Sequence, residues 1–329
     1  MEAFNKNENI YDAYMTFLVK EECNLECSLI NNHKNENMVL IEPKISENSK
    51  IFIYELKNLN IGMEYRYQCN AENTEILNLR FPKDHEGLTI PILSDFTNKG
   101  DALKTMTYIN KNIQKYDAIL SVSRFDLEKN SINEEELLEL MYPVFSKLPL
   151  FINFDQPKTE SQMESVIKKL HFPIKENGNS LFYSFDVKNA HFVSIPYEYL
   201  IKQLIEQENE NIEIFENWIA EDLSKTNKKW KIVYTNKSLF CSDNENEDCE
   251  QINELKNILE DILHDNKVDL VISGGIDSYQ RFFPTYKLEV DKESSSKDIE
   301  IYSNPKFPVY LICGNGKNSS NENSKIHNL

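Results

Sequence analysis

The chain has 329 residues, 40% of them apolar and 11% aromatic, enough for more than one folded core. Its formal charge of −18 argues against a nucleic-acid partner, which needs a basic face, and repels anionic ligands unless a local cation offsets it. No apolar run reaches the roughly 18 residues of a membrane span, and "MEAFNKNENIYDAYMTF" lacks the basic start and apolar core of a signal peptide.

The first 87 residues carry strand patterns. "KIFIYELKNL" alternates, and "MEYRYQC" places Met63, Tyr65, Tyr67 and Cys69 on one face at period two, with the turn "NLNIGM" between them. No helical stripe interrupts, which predicts a small β-sandwich ending near "PKDHEG". From residue 88 the apolar runs "LTIPILS", "DAILSVS", "LPLFIN", "KIVYT" and "VDLVIS" alternate with amphipathic segments. Leu103, Met106, Ile109 and Ile113 form one stripe. Leu137, Leu140, Met141 and Val144 form a second, opened by Ser131 and Glu134 as a capping box. Ile212, Phe215 and Ile219 form a third, and Ile252, Leu255, Leu259 and Ile262 a fourth. The alternation predicts an α/β domain with largely parallel strands, and "LFYSFDVKNAHFVSI" reads as an antiparallel hairpin added to it. The end, "GNGKNSSNENSKIHNL", is a polar, low-complexity tail over 314–329.

Open α/β sheets place their chemistry beyond the carboxyl ends of their strands. Those ends present Asp95, then Ser123 and Arg124, then Asn153, Phe154 and Asp155, then Thr235, Asn236 and Lys237, and finally Gly274, Gly275, Ile276 and Asp277. The set offers oxygen donors and cations but neither a histidine base nor a Ser–His pair. Of the six histidines, His191 sits in the hairpin between apolar neighbours and reads as a sheet histidine; the others read as loop or surface residues. Cys23 and Cys27 lack a second close pair, which argues against zinc. Cys241 and Cys249 bracket a polar acidic loop, as a loop-closing disulfide or as two unrelated thiols. Asn236-Lys237-Ser238 and Asn318-Ser319-Ser320 match the glycosylation pattern; the first reads as buried, the second as the usable acceptor.

Several segments, in order, resemble the purple acid phosphatases of the long animal type. "SLFYSFDVKNAHFV" resembles that family's "SLYYSFDVGPVHFV". "WIAEDLSKTNKKWKIVYTNKSLFCSDNENEDC" resembles "WLEEDL…PWIIVYGHRPMYCS…DDC". "VDLVISGGIDSYQRFFPTYK" resembles "VDLVLSGHVHSYERTYPVY", and "PVYLICGNGKN" follows in place. The resemblance implies a fibronectin-III-like β-sandwich over 1–87, a metallophosphoesterase-like α/β domain over 88–313, a Cys241–Cys249 bridge and a secretory or extracellular setting.

It also implies a dinuclear metal centre, and here the sequence departs from the family. Asp95 and Asn153 keep family ligand types. The bridging aspartate is replaced by Arg124, the iron-binding tyrosine by Leu127, and the histidine after the asparagine by Phe154. The three histidine ligands are replaced by Asn236, Gly275 and Asp277. A paired metal centre needs imidazoles, a phenolate and a bridging carboxylate, whereas a guanidinium at the bridge is a fixed positive charge. The expectation is a chain with no catalytic residues, no metal and no cofactor: a pseudoenzyme serving as a structural or interaction subunit with protein partners. The alternatives are a phosphoesterase using one hard cation held by Asp95, Asn153, Asn236 and Asp277, or a phosphate-binding protein using Arg124, Lys237 and Arg281. Arg281 has a bland reading too, as a structural arginine packed on Tyr279 and Phe282.

Overall fold

The computed structural model describes residues 2–7, 10–19, 25–31, 34–37, 39–40, 44–46, 49–60, 62–70, 77–80, 87–94, 99–122, 134–153, 182–240, 249–275, 279–296 and 301–314. Among the described residues of the N-terminal part, every regular element is a strand. One antiparallel sheet holds β1 (Glu2–Asn7), β2 (Ile10–Val19), β5 (Val39–Leu40), β6 (Lys44–Ser46) and β7 (Ser49–Asn60). A second holds β3 (Cys27–Asn31), β4 (Lys34–Asn37), β8 (Glu64–Cys69) and β9 (Leu77–Arg80).

One shared core joins the two sheets. Met15, Phe52, Tyr54 and Leu56 from the first meet Leu29, Tyr65, Tyr67 and Cys69 from the second. The period-two reading of β8 holds, with Tyr65, Tyr67 and Cys69 buried and Glu64, Arg66 and Gln68 exposed. The turn after β7 carries the chain from one sheet to the other. Gly62 supplies its left-handed φ of 74°, and the Asn60 amide donates to the Tyr65 hydroxyl at 2.9 Å. The Tyr54 hydroxyl donates to the Leu25 carbonyl. Cys27 and Cys69 face each other across β3 and β8 and form a disulfide. The spacing argument for Cys27 could not find that partner, which lies 42 residues away and becomes adjacent only through strand pairing.

The remaining strands form more than one sheet, as the expected α/β domain of β-sheets flanked by helices allows. Strands β10 (Ile92–Leu93), β11 (Ile119–Ser121) and β12 (Leu150–Ile152) make a parallel three-stranded sheet. A six-stranded sheet takes β13 (Ser184–Val187), β14 (Ala190–Ser194), β15 (Trp230–Thr235), β16 (Leu270–Ser273), β20 (Val309–Ile312) and β17 (Gln280–Arg281), in that spatial order. Strands β14, β15, β16 and β20 are parallel, and β13–β14 is the expected hairpin, turning at Lys188 with φ 54°. Strands β18 (Thr285–Tyr286) and β19 (Glu289–Val290) form a separate small hairpin.

The two sheets stack face to face because their strands are apolar on both sides. Leu120, Val122 and Phe151 of one meet Phe185, Phe192, Tyr234 and Ile272 of the other. Phe151 and Phe185 stack at 3.6 Å, and the Tyr183 hydroxyl donates to the Ile152 carbonyl at 2.5 Å.

Helices cover the outer faces. On the smaller sheet lie α1 (Lys99–Lys111) and α2 (Glu134–Phe145), through Ala102, Met106, Ile109, Met141 and Val144. Leu103, placed on that stripe by its spacing, is instead 54% exposed, because the buried face of α1 is centred on Ala102, Met106 and Ile109. On the larger sheet lie α3 (Tyr197–Glu206), α4 (Asn209–Lys225) and α5 (Cys249–Asp265). Ile212, Phe215, Ile219 and Leu223 of α4 are all buried, as are Leu255, Leu259 and Leu263 of α5. Each such side chain contributes about 1.5–3 kcal/mol by leaving water. None of the helices among the described residues is long and apolar enough to cross a membrane.

Candidate functional site

The carboxyl ends of both stacked sheets converge at one edge. Three contacts cross from the smaller sheet to the larger there. From the end of β10, the Ser94 hydroxyl donates to the Gly314 carbonyl at 2.7 Å. At the end of β11, the Val122 carbonyl lies against Gly274 so closely that a Cβ on Gly274 would stand 2.2 Å from its oxygen. Glycine is the only residue that permits this approach of the two sheets. Gly275, which follows, takes a left-handed φ of 81°.

The third contact is made by Asn153, beyond β12, which is fully buried. Its side-chain nitrogen donates to the Ser194 hydroxyl and to the Ile195 carbonyl, both at 2.8 Å, and more weakly to the Tyr234 carbonyl at 3.3 Å. Its side-chain oxygen accepts from the Asn236 amide at 3.0 Å. Both ends of this carboxamide are therefore used to tie β12 to the ends of β14 and β15.

The Asn236 side chain is different. It is fully buried, and among the described residues neither its nitrogen nor its oxygen has a hydrogen-bond partner; the neighbouring Thr235 hydroxyl is buried without one among them as well. Groups left in this way each cost about 1–3 kcal/mol. Burial also confirms that the sequon at Asn236 is inaccessible.

The two described cations of the region are engaged elsewhere. Lys237 pairs with Glu198 and lies 5.6 Å from the Tyr197 ring centroid. Arg281 stacks on Tyr302 at 5.2 Å, an aromatic partner that adjacency in sequence did not suggest. Phe282 packs against Phe240 instead, at 4.8 Å. Asp95, Ser123, Arg124, Leu127, Phe154, Asp155, Ile276, Asp277, Cys241 and Asn318 lie outside the described residues, as does the side chain of Cys249, whose backbone opens α5.

Asn153 offers an oxygen that already accepts a backbone hydrogen bond, Asn236 a neutral carboxamide, and Gly275 no side chain. Among the described residues no three His, Cys, Asp or Glu side chains cluster as ligands. Of the three positions, Asn153 alone keeps a ligand type that the resemblance implies, while Asn236 and Gly275 supply neither the imidazole nor the anionic oxygen typical of a dinuclear transition-metal centre.

No family model matches the chain. It is 27% identical over 295 residues to acid phosphatase type 7 of Mus musculus, covering 80% of this chain and 64% of that protein. To acid phosphatase type 7 of Homo sapiens it is 25% identical over 292 residues, with the same coverage. Probable purple acid phosphatase 20 of Arabidopsis thaliana is 21% identical over 270 residues. The chain thus spans a little under two thirds of the length of the animal relatives. Among solved structures, the purple acid phosphatase PPD1 from yellow lupin (Lupinus luteus) seeds superposes with a TM-score of 0.68 at 14% identity, covering 95% of this chain and 64% of that one. That likeness shows the metallophosphoesterase-like α/β fold, and the sequence matches make the chain similar to acid phosphatase type 7 and the purple acid phosphatases.

Proposed function

We propose that this chain is a catalytically inactive relative of the purple acid phosphatases, acting as a structural or interaction subunit. One observation carries the reading: Asn153, a surviving family ligand position, spends its carboxamide on joining strand ends. The substitutions to Arg124, Leu127, Phe154, Asn236, Gly275 and Asp277 point the same way. In this reading Arg124 replaces the metal charge and pairs with Asp95, relieving a carboxylate that would otherwise be driven to protonate in a dry site. No hydroxide nucleophile forms, because nothing lowers the pKa of a water there.

The same reading makes residues 1–87 a fibronectin-III-like domain and 88–313 the metallophosphoesterase-like domain, with 314–329 a tail. It includes a Cys241–Cys249 bridge and protein partners. The Cys27–Cys69 disulfide supports an oxidising, secretory or extracellular compartment.

A second reading draws on the Asn236 carboxamide oxygen, buried without a partner among the described residues, which one hard cation such as calcium or magnesium could use. Elemental analysis of the purified protein for iron, zinc, manganese, calcium and magnesium, with phosphatase assays in each metal, separates the two. The inactive reading expects substoichiometric metal and no turnover. Two bound ions per chain, or turnover restored by one divalent metal, overturns it.

A further inference from the structure

A half-buried charge cluster lies at the other end of the same strands, away from the site just described. His191 is the second residue of β14 and is 6% exposed. Its Nδ1 stands 2.7 Å from the Asp186 carboxylate, directly opposite on β13, and its Nε2 stands 2.9 Å from the Asp222 carboxylate on α4. The Ser184 hydroxyl donates to the other Asp222 oxygen at 2.8 Å, fixing that carboxylate in place.

A neutral imidazole has one N–H and one lone pair. It can satisfy one of these carboxylates, and it then turns its lone pair on an anionic oxygen at hydrogen-bond distance. Only the imidazolium donates to both at once. We propose that His191 is a pH-dependent fastener, which when protonated ties the β13–β14 hairpin to α4 and on losing its proton releases that tie.

The surrounding charges are consistent with this role. From β13, Asp186 also lies 3.8 Å from Lys228 Nζ, in the loop before β15, which donates to the Lys188 carbonyl. From β15, Lys231 pairs in register with His191, yet its ammonium donates to the Leu223 and Asn266 carbonyls. Asp269 accepts from the Lys231 amide, and at the hairpin turn Lys188 is held by Asp117 at 3.3 Å. Burial pulls the His191 pKa down, but the hydrogen bonds and charges of Asp186 and Asp222 outweigh it, so the net shift is upward from the ordinary imidazole value. The sign follows. A folded-state pKa above the unfolded value gives stability that is fully present below the unfolded pKa, and this stability is lost as pH rises through the folded one.

The test is an NMR titration of the imidazole resonances of the whole chain, with the His191 signal assigned by its loss in His191→Gln. It is joined by thermal melts of wild type, His191→Gln and Asp222→Asn between pH 5 and 9. The expected result is a His191 midpoint above about 6.5, which falls in Asp222→Asn. The wild-type melting temperature should decline as pH rises through the wild-type midpoint more steeply than that of His191→Gln. A midpoint at or below the ordinary value, or equal pH slopes for wild type and His191→Gln, overturns the proposal. Should His191→Gln fail to fold, the wild-type and Asp222→Asn titrations decide it, with the His191 signal assigned through its coupling to Asp186.

Discussion

Replacing Asn153 separates a structural clamp from a metal ligand. In Asn153→Ala the Asn236 amide loses its hydrogen-bond acceptor and is buried without one, at about 1–3 kcal/mol. The Ile195 carbonyl keeps the Tyr197 amide and the Tyr234 carbonyl keeps the Ile195 amide, so those losses are partial, about 1 kcal/mol together with the Ser194 contact. The expected sum is about 3 kcal/mol, or about 6–12 °C in melting temperature if the α/β part unfolds as one unit. Asn153→Asp is the sharper perturbation. One oxygen still accepts from Asn236, but the other replaces a donor with an anion facing the Ile195 and Tyr234 carbonyls, so it should destabilise at least as much as alanine. A metal ligand would behave in the opposite way, since a carboxylate is the better donor for a hard cation. The assay is thermal and urea unfolding of wild type and both variants, with and without EDTA. Wild-type stability that falls on chelation, or an aspartate variant as stable as wild type when metal is supplied, would falsify the clamp.

Four further outcomes are expected. Gly274→Ala drives a Cβ into the Val122 backbone carbonyl and should destabilise by about 3 kcal/mol or more, read by urea midpoint; near-neutral behaviour would show that the two sheets separate easily. Asn236→Leu removes a carboxamide with no partner among the described residues and should leave stability unchanged or raise it by about 1 kcal/mol, whereas a clear loss would mean that something binds the amide. Opening the Cys27–Cys69 bridge with paired serines releases a 42-residue loop and should cost about 4 kcal/mol on the chain-entropy account, measured against the oxidised parent. Cys313 is half-buried and desolvation pushes its thiol up to about 11, so at about pH 8 it should be alkylated more slowly than in denaturant, as mapped by mass spectrometry; equal rates in the native and denatured protein would contradict the shift.

Much of this was readable from the chain alone. Local periodicity fixed the face of β8, the stripes of α4 and α5 and the hairpin at Lys188, because each depends on residues within a few positions of one another. The strand ends that form the candidate site were also legible, since an apolar run stops where a turn begins. Their partners were not. Asn153 reads from sequence as a retained ligand, and only the stacking of two sheets reveals that its carboxamide is held by Ser194, Ile195 and Asn236. Arg281 was matched to its sequence neighbours, and adjacency did not suggest the Tyr302 ring on which it stacks. His191 looked like a sheet histidine, and so it is; that it bridges two carboxylates depends on Asp222 arriving from a helix 31 residues on.

The sequence by itself therefore determined the elements, their buried faces and the family likeness, all carried by short-range pattern. The tertiary structure decided that the strands divide into two stacked sheets, that Cys27 meets Cys69, and which polar side chains are satisfied once buried. The reason is physical: periodicity reports which side of an element avoids water, whereas hydrogen bonds, ion pairs and disulfides need atoms within a few ångströms, and chain folding alone brings distant residues that close.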